Sequence, residues 1–554
     1  MSDRRGTVGD LVAEFLETCD PTDLFGVISI HNMPILDAVH RRGKLRFIAA
    51  RGEAGATAMA DAAARVSGRL GVVVTSTGTG AGNAAGALVE AYTAGTPLLH
   101  LTTQIDSPYL DRNFGYLHEA PAQLAMLQSV SKAAFRIATP DEALPVLRRA
   151  VKTAQTAPSG PVSVEIPVDV QQATMTLPSA IGPTPVERMV PDAATLDRLA
   201  ASLMRARRPM LWLGGGARDA SASARLLADL GIGIVGSTAG RGIVPEDHPA
   251  SLGAFGAAPA VEKLYAGCDW MLVVGSHLRS NETKTYTLKL PATLHRVDAD
   301  PAARGRAYAE QEFVLGDAGL ALEGLVQRLS GKRLSIDRAF VDEIRNARRA
   351  ADTALRGQAG AYVVLIDALE RHLPPDALWV RDITLSNSIW GNRAPTMRGP
   401  RSAVHAMGGG IGMGLPMGLG AALAGSGRKV VALIGDGGFA MNLGELATAV
   451  QMQADMVILL MNDGGYGVIR NIQDNDYEGR RCFTELLLPE PRLLAESLGM
   501  PHWRVGDLDA IGPVLVAALE RRGPSMIEID MKSAGAFGIK FGGFPAPPEA
   551  ARRL

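Results

Sequence analysis

The feature that most limits how this chain can fold is a recurring pattern: a short, mainly apolar run that stops at a Gly, Pro or polar residue, followed by an Ala-rich or amphipathic stretch long enough for a helix. Gly71-Val-Val-Val-Thr75, Pro97-Leu-Leu-His-Leu101 and Pro161-Val-Ser-Val-Glu-Ile-Pro167 are early examples. Continuous apolar runs of this length suit strands covered on both faces, and strands alternating with helices suit parallel sheets. The pattern returns at Pro209–Leu213, Trp270–Val274 and Leu294–Asp298, and again at Leu378–Val380, Lys429–Ile434, Met456–Met461 and Met526–Asp530. The predicted fold class is therefore α/β, with three doubly wound parallel-sheet domains over residues 1–178, 190–330 and 350–554. A Pro- and Gly-containing stretch at 178–192 reads as a linker, and the charged helical stretch Ser335 to Arg356 as a bridge to the third block. The first and third blocks share size and texture without a residue-level repeat.

Lys and Arg number 56 against 57 Asp and Glu, a balance that offers no basic face to nucleic acid or to an anionic membrane. No apolar run reaches the ~18 residues that span a bilayer. The N-terminal Met-Ser-Asp-Arg-Arg lacks the apolar core of a secretory signal. Cys19, Cys268 and Cys482 are too dispersed for a disulfide framework or a zinc site, so the reducing cytoplasm is the expected compartment.

The third block carries the most specific chemistry. Its apolar strand Val430–Ile434 runs into Gly435-Asp436-Gly437, and after 24 further residues a second strand ends in Asn462-Asp463-Gly464-Gly465. Both clusters fall at strand C-terminal ends, where open parallel sheets bind ligands. Mg²⁺ takes about six hard oxygens and commonly accepts one or two carboxylates plus phosphate oxygens. Asp436 and Asp463 offer the carboxylates, and the Gly465 carbonyl a neutral third oxygen. The glycines let backbone approach a diphosphate closely. Gly-Asp-Gly alone is a common turn; its setting between two strands, with Asn-Asp at this distance, is the informative part.

This arrangement resembles the thiamine-diphosphate motif of the acetolactate synthase, pyruvate decarboxylase and benzoylformate decarboxylase superfamily, which usually has Asn where this chain has Asp463. The resemblance implies thiamine diphosphate and Mg²⁺ as cofactors, with Gly435, Gly437, Gly438, Tyr466, Gly467 and Val468 around the metal ligands Asp436, Asp463 and Gly465. Arg51-Gly52-Glu53-Ala54-Gly55-Ala56 opens an Ala-rich helix to Arg65. By its residues alone Glu53 is a first-turn carboxylate favoured by the helix dipole. The resemblance makes it the catalytic carboxyl that bonds a pyrimidine nitrogen of the cofactor. Met407-Gly-Gly-Gly-Ile-Gly-Met-Gly-Leu-Pro416 resembles the segment that bends the cofactor, which assigns the wedge to Ile411, a pyrimidine contact to the Gly409 carbonyl and a neighbouring place to Met413. In Val380-Arg-Asp382-Ile-Thr384-Leu-Ser386-Asn387, the residues Asp382, Thr384 and Ser386 suit diphosphate contacts, while Ser386 and Asn387 also suit a helix cap. Further likeness at Gly78–Asn83, Gly160–Pro167 and Pro245–Gly253 extends the resemblance over nearly the whole chain. In the family Glu53 would serve a neighbouring subunit's site, which implies a homodimer as the smallest active unit; homotetramers are common there.

His31, six residues past Phe25, lies where benzaldehyde lyase has an active-site His, and His118 in Leu117-His118-Glu119 where acetolactate synthases carry Phe-Gln-Glu. Both are proton-transfer candidates, since imidazole titrates near neutral pH; backbone-bonded loop histidines are the plain alternative. Three departures argue against a true acetolactate synthase: Leu117 for an aromatic, Ile472 for a Trp, and Asn281 for the arginine that grips an acceptor carboxylate, which leaves Arg279 and Arg470 to replace it. His277 stands where an arginine contacts FAD in some relatives, which argues against FAD in the middle domain. The chain reads as a thiamine-diphosphate- and Mg-dependent 2-oxo acid decarboxylase or carboligase, acetolactate synthase-like, acting on a small-molecule 2-oxo acid or ketone. The alternative is a lyase or hydrolase of a hydroxyketone or cyclic diketone using the same cofactor. Gly78–Gly82 and Gly214–Gly216 fail to complete a dinucleotide fingerprint, and an intact Glu53 argues against a fold retained without activity. The Gly- and Phe-rich stretch Phe537 to Phe544 either covers the site entrance or packs.

Overall fold

The computed structural model describes residues 4–542. It contains three parallel sheets, each clothed by helices on both faces. The first runs through Leu24–Gly26, Phe47–Ala49, Gly71–Thr75, Leu98–Gln104, Ala133–Arg136 and Pro161–Pro167. Numbered along the chain, its strands lie in the order 2-1-3-4-6-5. The third sheet, from Leu378–Arg381, Ala403–His405, Val430–Gly435, Met456–Asn462, His502–Val505 and Ser525–Asp530, has the same order. The texture shared by the outer blocks is thus a shared topology. The middle sheet holds Pro209–Leu213, Gly233–Gly236, Trp270–Val274, Leu294–Asp298 and Glu312–Leu315 in the order 2-1-3-4-5. A two-stranded antiparallel ribbon pairs Arg5–Thr7 with Thr174–Thr176 and ties the start of the chain to the end of the first block.

The long apolar runs became central strands. Gly71–Thr75, Leu98–Gln104, Pro161–Pro167 and Trp270–Val274 are buried at every residue, as both-face coverage requires. Each buried Val, Leu or Ile side chain contributes about 1.5–3 kcal/mol of transfer free energy. The stretch expected to bridge to the third block is a 20-residue helix, Phe340–Ala359, whose Phe340, Ile344, Ala351 and Leu355 pack into a core shared with both sheets. Phe537 stacks on Tyr362 with ring centroids 4.3 Å apart, and the Gly538 amide donates to the Gln358 carbonyl, so this part of the C-terminal stretch packs on the bridge region. Gly543 and Phe544 lie outside the described residues.

Strand order reverses between strands 1 and 3 of each sheet, so their C-terminal ends splay and leave a crevice. In the third sheet this places the turn after Arg381 and the turn after Gly435 on opposite sides of one opening. The helices that follow strand 2 of the outer sheets, Glu53–Ser67 and Gly414–Ala424, pack against each other. Gly420 permits their approach, because a Cβ there would stand 2.2 Å from the Met59 carbonyl oxygen.

Candidate active site

A cavity of about 440 Å³ opens at the switch point of the third sheet. Of the residues singled out from sequence, Thr384, Ser386, Gly409, Ile411, Gly435, Asp436, Gly437, Gly438, Asp463, Gly465, Tyr466, Gly467 and Val468 all line it. Val430–Gly435 is buried along the strand and delivers Asp436 to the first position of the helix Asp436–Met441. Asp436 Oδ2 accepts from the Gly464 amide at 2.8 Å, which ties the two motif turns together. Burial, and then the neighbouring Asp463 charge, push the Asp436 carboxyl up to about 6. Burial also raises Asp463, against the opposing pull of Arg470. The Arg470 guanidinium lies 2.5 Å from Asp463 Oδ1 and donates to the Asp463 carbonyl at 2.9 Å. Gly465 has φ +147°, and a Cβ would fall 2.0 Å from the Thr484 carbonyl oxygen, so only glycine fits this turn.

The glycine-rich segment forms the opposite wall, held from both sides. Glu90, on the helix Thr79–Ala94 of the first block, accepts from the Gly408 amide at 2.6 Å and also from the Gly410 amide. The buried Asp382 accepts from the Ile383 amide at 2.7 Å and the Gly412 amide at 3.0 Å. Asn442 donates to the Gly412 carbonyl at 2.8 Å, and Arg279 to the Met407 carbonyl at 2.8 Å. Gly409, between these anchors, has φ +89° and open space beside its Cα. Asp382 was expected to touch diphosphate; it lies outside the cavity lining and spends its carboxylate on backbone amides. Its carboxyl is raised to about 6 by burial, against those amide bonds. Met413 is also outside the lining, as the N-cap of the helix Gly414–Ala424.

Glu53, His31 and His118 are not brought to this cavity within one chain, since its whole lining comes from residues 383–531. They follow strands of the first sheet instead. Glu53 begins its helix as expected and accepts from Asn83 Nδ2 at 3.1 Å. Glu445, from the third block, accepts from the Arg51 amide at 3.0 Å and the Gly52 amide at 3.1 Å, fixing the backbone that presents Glu53. His31 and His118 face each other with ring centroids 4.9 Å apart. Both buried Nδ1 atoms lack a hydrogen-bond partner among the described residues. Burial, and then the His118 charge, hold His31 below the usual imidazole value, while Asp106 opposes them. Tyr116 donates to Asp106 at 2.8 Å beside this pair.

Several contributors escaped the sequence reading. Met441, Met461, Ile469 and Met531 supply apolar lining; the first three had only adjacency to the motif turns as a signal, and Met531, after the last strand, had none. Glu90 and Glu445 had no local signal, since each acts across the fold. Neither arginine considered for a substrate carboxylate is free: Arg279 donates to the Met407 and Thr93 carbonyls, and Arg470 is engaged by Asp463 and Glu485. Among the described residues no three His, Cys, Asp or Glu side chains gather to hold a metal on their own, and no helix is long and apolar enough to cross a membrane. A metal here would need ligands from a bound phosphate, which is how Mg²⁺ sites are commonly completed. The paired carboxylates, the glycine backbone and Ser386 Oγ, buried with no hydrogen-bond partner among the described residues, fit a Mg²⁺-bound diphosphate.

Residues 6–126 match the thiamine pyrophosphate enzyme N-terminal TPP binding domain, 196–325 the central domain and 385–529 the C-terminal TPP binding domain. The chain is 32% identical over 533 residues to the probable 2-ketoarginine decarboxylase AruI of Pseudomonas aeruginosa, covering 94% of each. The chain belongs to the thiamine pyrophosphate enzyme family. It is also 28% identical to the acetolactate synthase large subunit of Corynebacterium glutamicum, over 93% of this chain and 85% of that one. To the probable acetolactate synthase 2, chloroplastic, of Oryza sativa subsp. japonica it is 28% identical, over 96% of this chain and 83% of that one. As a member of this family it is a thiamine-diphosphate-dependent enzyme of the decarboxylase and carboligase class.

Proposed function

We propose that this thiamine pyrophosphate enzyme decarboxylates a 2-oxo acid, with its cofactor held through Mg²⁺ by Asp436, Asp463 and the Gly465 carbonyl. The observation that carries the proposal is the meeting of two carboxylates and a glycine-lined backbone at one switch-point cavity. Thiamine diphosphate, when bound, supplies a nucleophilic thiazolium carbon and a ring that stores the electron pair released as CO₂ leaves. Thr384 and Ser386 would offer hydroxyls to the diphosphate, and Ile411 and the Gly409 carbonyl would hold the pyrimidine. Glu53 of the partner subunit would hold a proton at a pyrimidine nitrogen, a reading supported by a cavity whose lining in one chain comes from residues 383–531 alone. The working unit is then at least a homodimer. His31 and His118, presented on the same face as Glu53, exchange a proton with the substrate oxygen. The unpartnered Nδ1 atoms of this pair support that role.

The commitment of Arg279 and Arg470 to other partners leaves no free guanidinium among these candidates for a second 2-oxo acid. This supports decarboxylation over an acetolactate-forming condensation, as does the relative named for 2-ketoarginine decarboxylation. Assay of CO₂ release across a panel of 2-oxo acids tests the reaction. Release from none of them, together with cleavage of a benzoin or a cyclic diketone, replaces it with the lyase reading. In the same assay Glu53→Gln is expected to abolish turnover while thiamine diphosphate affinity stays within about tenfold; undiminished turnover refutes the assigned role.

A further inference from the structure

Asp436 and Asp463 put two carboxylates around one cavity, both withdrawn from most of the solvent. Burying two like charges together costs free energy unless a counter-charge is supplied. The helix Gly467–Asp476, which starts directly after the motif turn, supplies one. Arg470 places its guanidinium 2.5 Å from Asp463 Oδ1 and donates to the carbonyl of the same residue at 2.9 Å. Its side chain is 11% exposed. Its other acidic contact, Glu485 at 3.1 Å, is 71% exposed and correspondingly screened.

We propose that Arg470 is a charge-balancing positioning residue for the diphosphate site, the partner that lets two aspartates share one cavity. The inference rests on the reading of Asp436 and Asp463 as the Mg²⁺-diphosphate site. Two aspartates with one guanidinium carry the same net charge as one aspartate with a neutral amide. The cavity therefore meets an anionic diphosphate with one net negative charge rather than two. Removing Arg470 alone leaves a surplus negative charge facing the diphosphate. Neutralising Asp463 as well removes the surplus. Arg470 also braces the backbone of residue 463, so it fixes the direction in which the carboxylate leaves the turn.

The test is calorimetric titration of thiamine diphosphate, at saturating Mg²⁺, into the full-length protein, with no turnover required. Arg470→Gln is expected to weaken binding about tenfold or more, the size of one uncompensated charge a few ångströms from an anion. The double variant Arg470→Gln with Asp463→Asn is expected to return to within about threefold of wild type, a coupling that lost helix packing does not produce. Arg470→Lys keeps the charge and is expected to hold affinity within about threefold; it carries the test by itself if the glutamine variant does not fold. Equal affinity in wild type and Arg470→Gln, a double variant as weak as the single, or a lysine variant as weak as the glutamine one overturns the proposal. Failure of the wild type itself to bind overturns instead the reading of the site on which it rests.

Discussion

At the switch point of the first sheet, Thr77 Oγ1 donates to Gln104 Oε1 at 2.9 Å, the Gly78 amide donates to Gln123 Oε1 at 2.7 Å, and Gln123 Nε2 donates to the buried Glu165 carboxylate at 2.9 Å. In the third sheet, with the same strand order, the corresponding turns carry Asp436 and Asp463 around a cavity of about 440 Å³. One topology thus serves twice, once with its turn tied by side-chain amides and once opening around two carboxylates. The backbone path sets where a ligand can sit; the residues of two short turns decide whether one does. The first sheet is not idle, for its next junction presents Glu53, and the matching junction of the third sheet presents the Gly409 wall.

The contrast can be broken most sharply at its charged end. Asp436→Asn is expected to lower thiamine diphosphate affinity in Mg²⁺ by about a thousandfold, through loss of a metal-binding carboxylate. Gln104→Leu, in the first sheet, should cost about 1–3 kcal/mol of stability, because the Ile105 amide loses its acceptor while the Thr77 hydroxyl keeps only Gln123, and leave that affinity within about threefold. An equal loss of affinity in both titrations erases the distinction between the two sheets. Next in size is Gly420→Ala, whose methyl group meets the Met59 carbonyl and must push the paired helices apart. Thermal denaturation should show a loss of about 3 kcal/mol, at the upper end of overpacking costs; an unchanged melting temperature means that the paired junctions are not rigidly coupled.

A finer comparison sets Glu90 against Glu445. Glu90→Gln weakens two amide bonds that hold the Gly409 wall and should lower cofactor affinity about tenfold, with little change in kcat at saturating cofactor. Glu445→Gln loosens the start of the Glu53 helix and should do the reverse, lowering kcat about fivefold at near-normal affinity. Steady-state kinetics with varied cofactor separates the two. The smallest effect is that of pH. On the proposed reading Asp436 binds Mg²⁺ as the ionised carboxylate, and burial pushes that carboxyl up to about 6. Between pH 7 and 5.5 cofactor affinity should fall about fourfold. The cofactor-free fold should respond with the opposite sign. A carboxyl raised in the folded state, as Asp436 and Asp382 both are, contributes stability that is present below its ordinary value near 4 and lost as pH rises through about 6. Melting curves with and without Mg²⁺ and cofactor over this window check both slopes.

The central strands and the motif turns were legible because their signals are local. Val430–Gly435 is an unbroken apolar run, and Gly435-Asp436-Gly437 announces its own turn. The edge strands were not. Phe47–Ala49 and Ala403–His405 have three residues each, too few for periodicity to register, and their pairing is set by the strand beside them. Asp382 illustrates a subtler difficulty: a carboxylate next to a ligand-binding turn reads as a ligand contact, yet here the buried glycine amides claimed it first. Glu90 and Glu445 were invisible for the plainest reason. The first meets its partner 318 residues away and the second 394, and nothing near either one marks it.

That reciprocal exchange of glutamates has a consequence for anyone recombining this enzyme with its relatives. Each terminal third lends a carboxylate that sets the reactive backbone of the other, so a chimera joined between them inherits two mismatched hinges unless both lenders travel with their borrowers. Evolution by swapping whole modules is correspondingly restricted, and the two ends of the chain are bound to change in step.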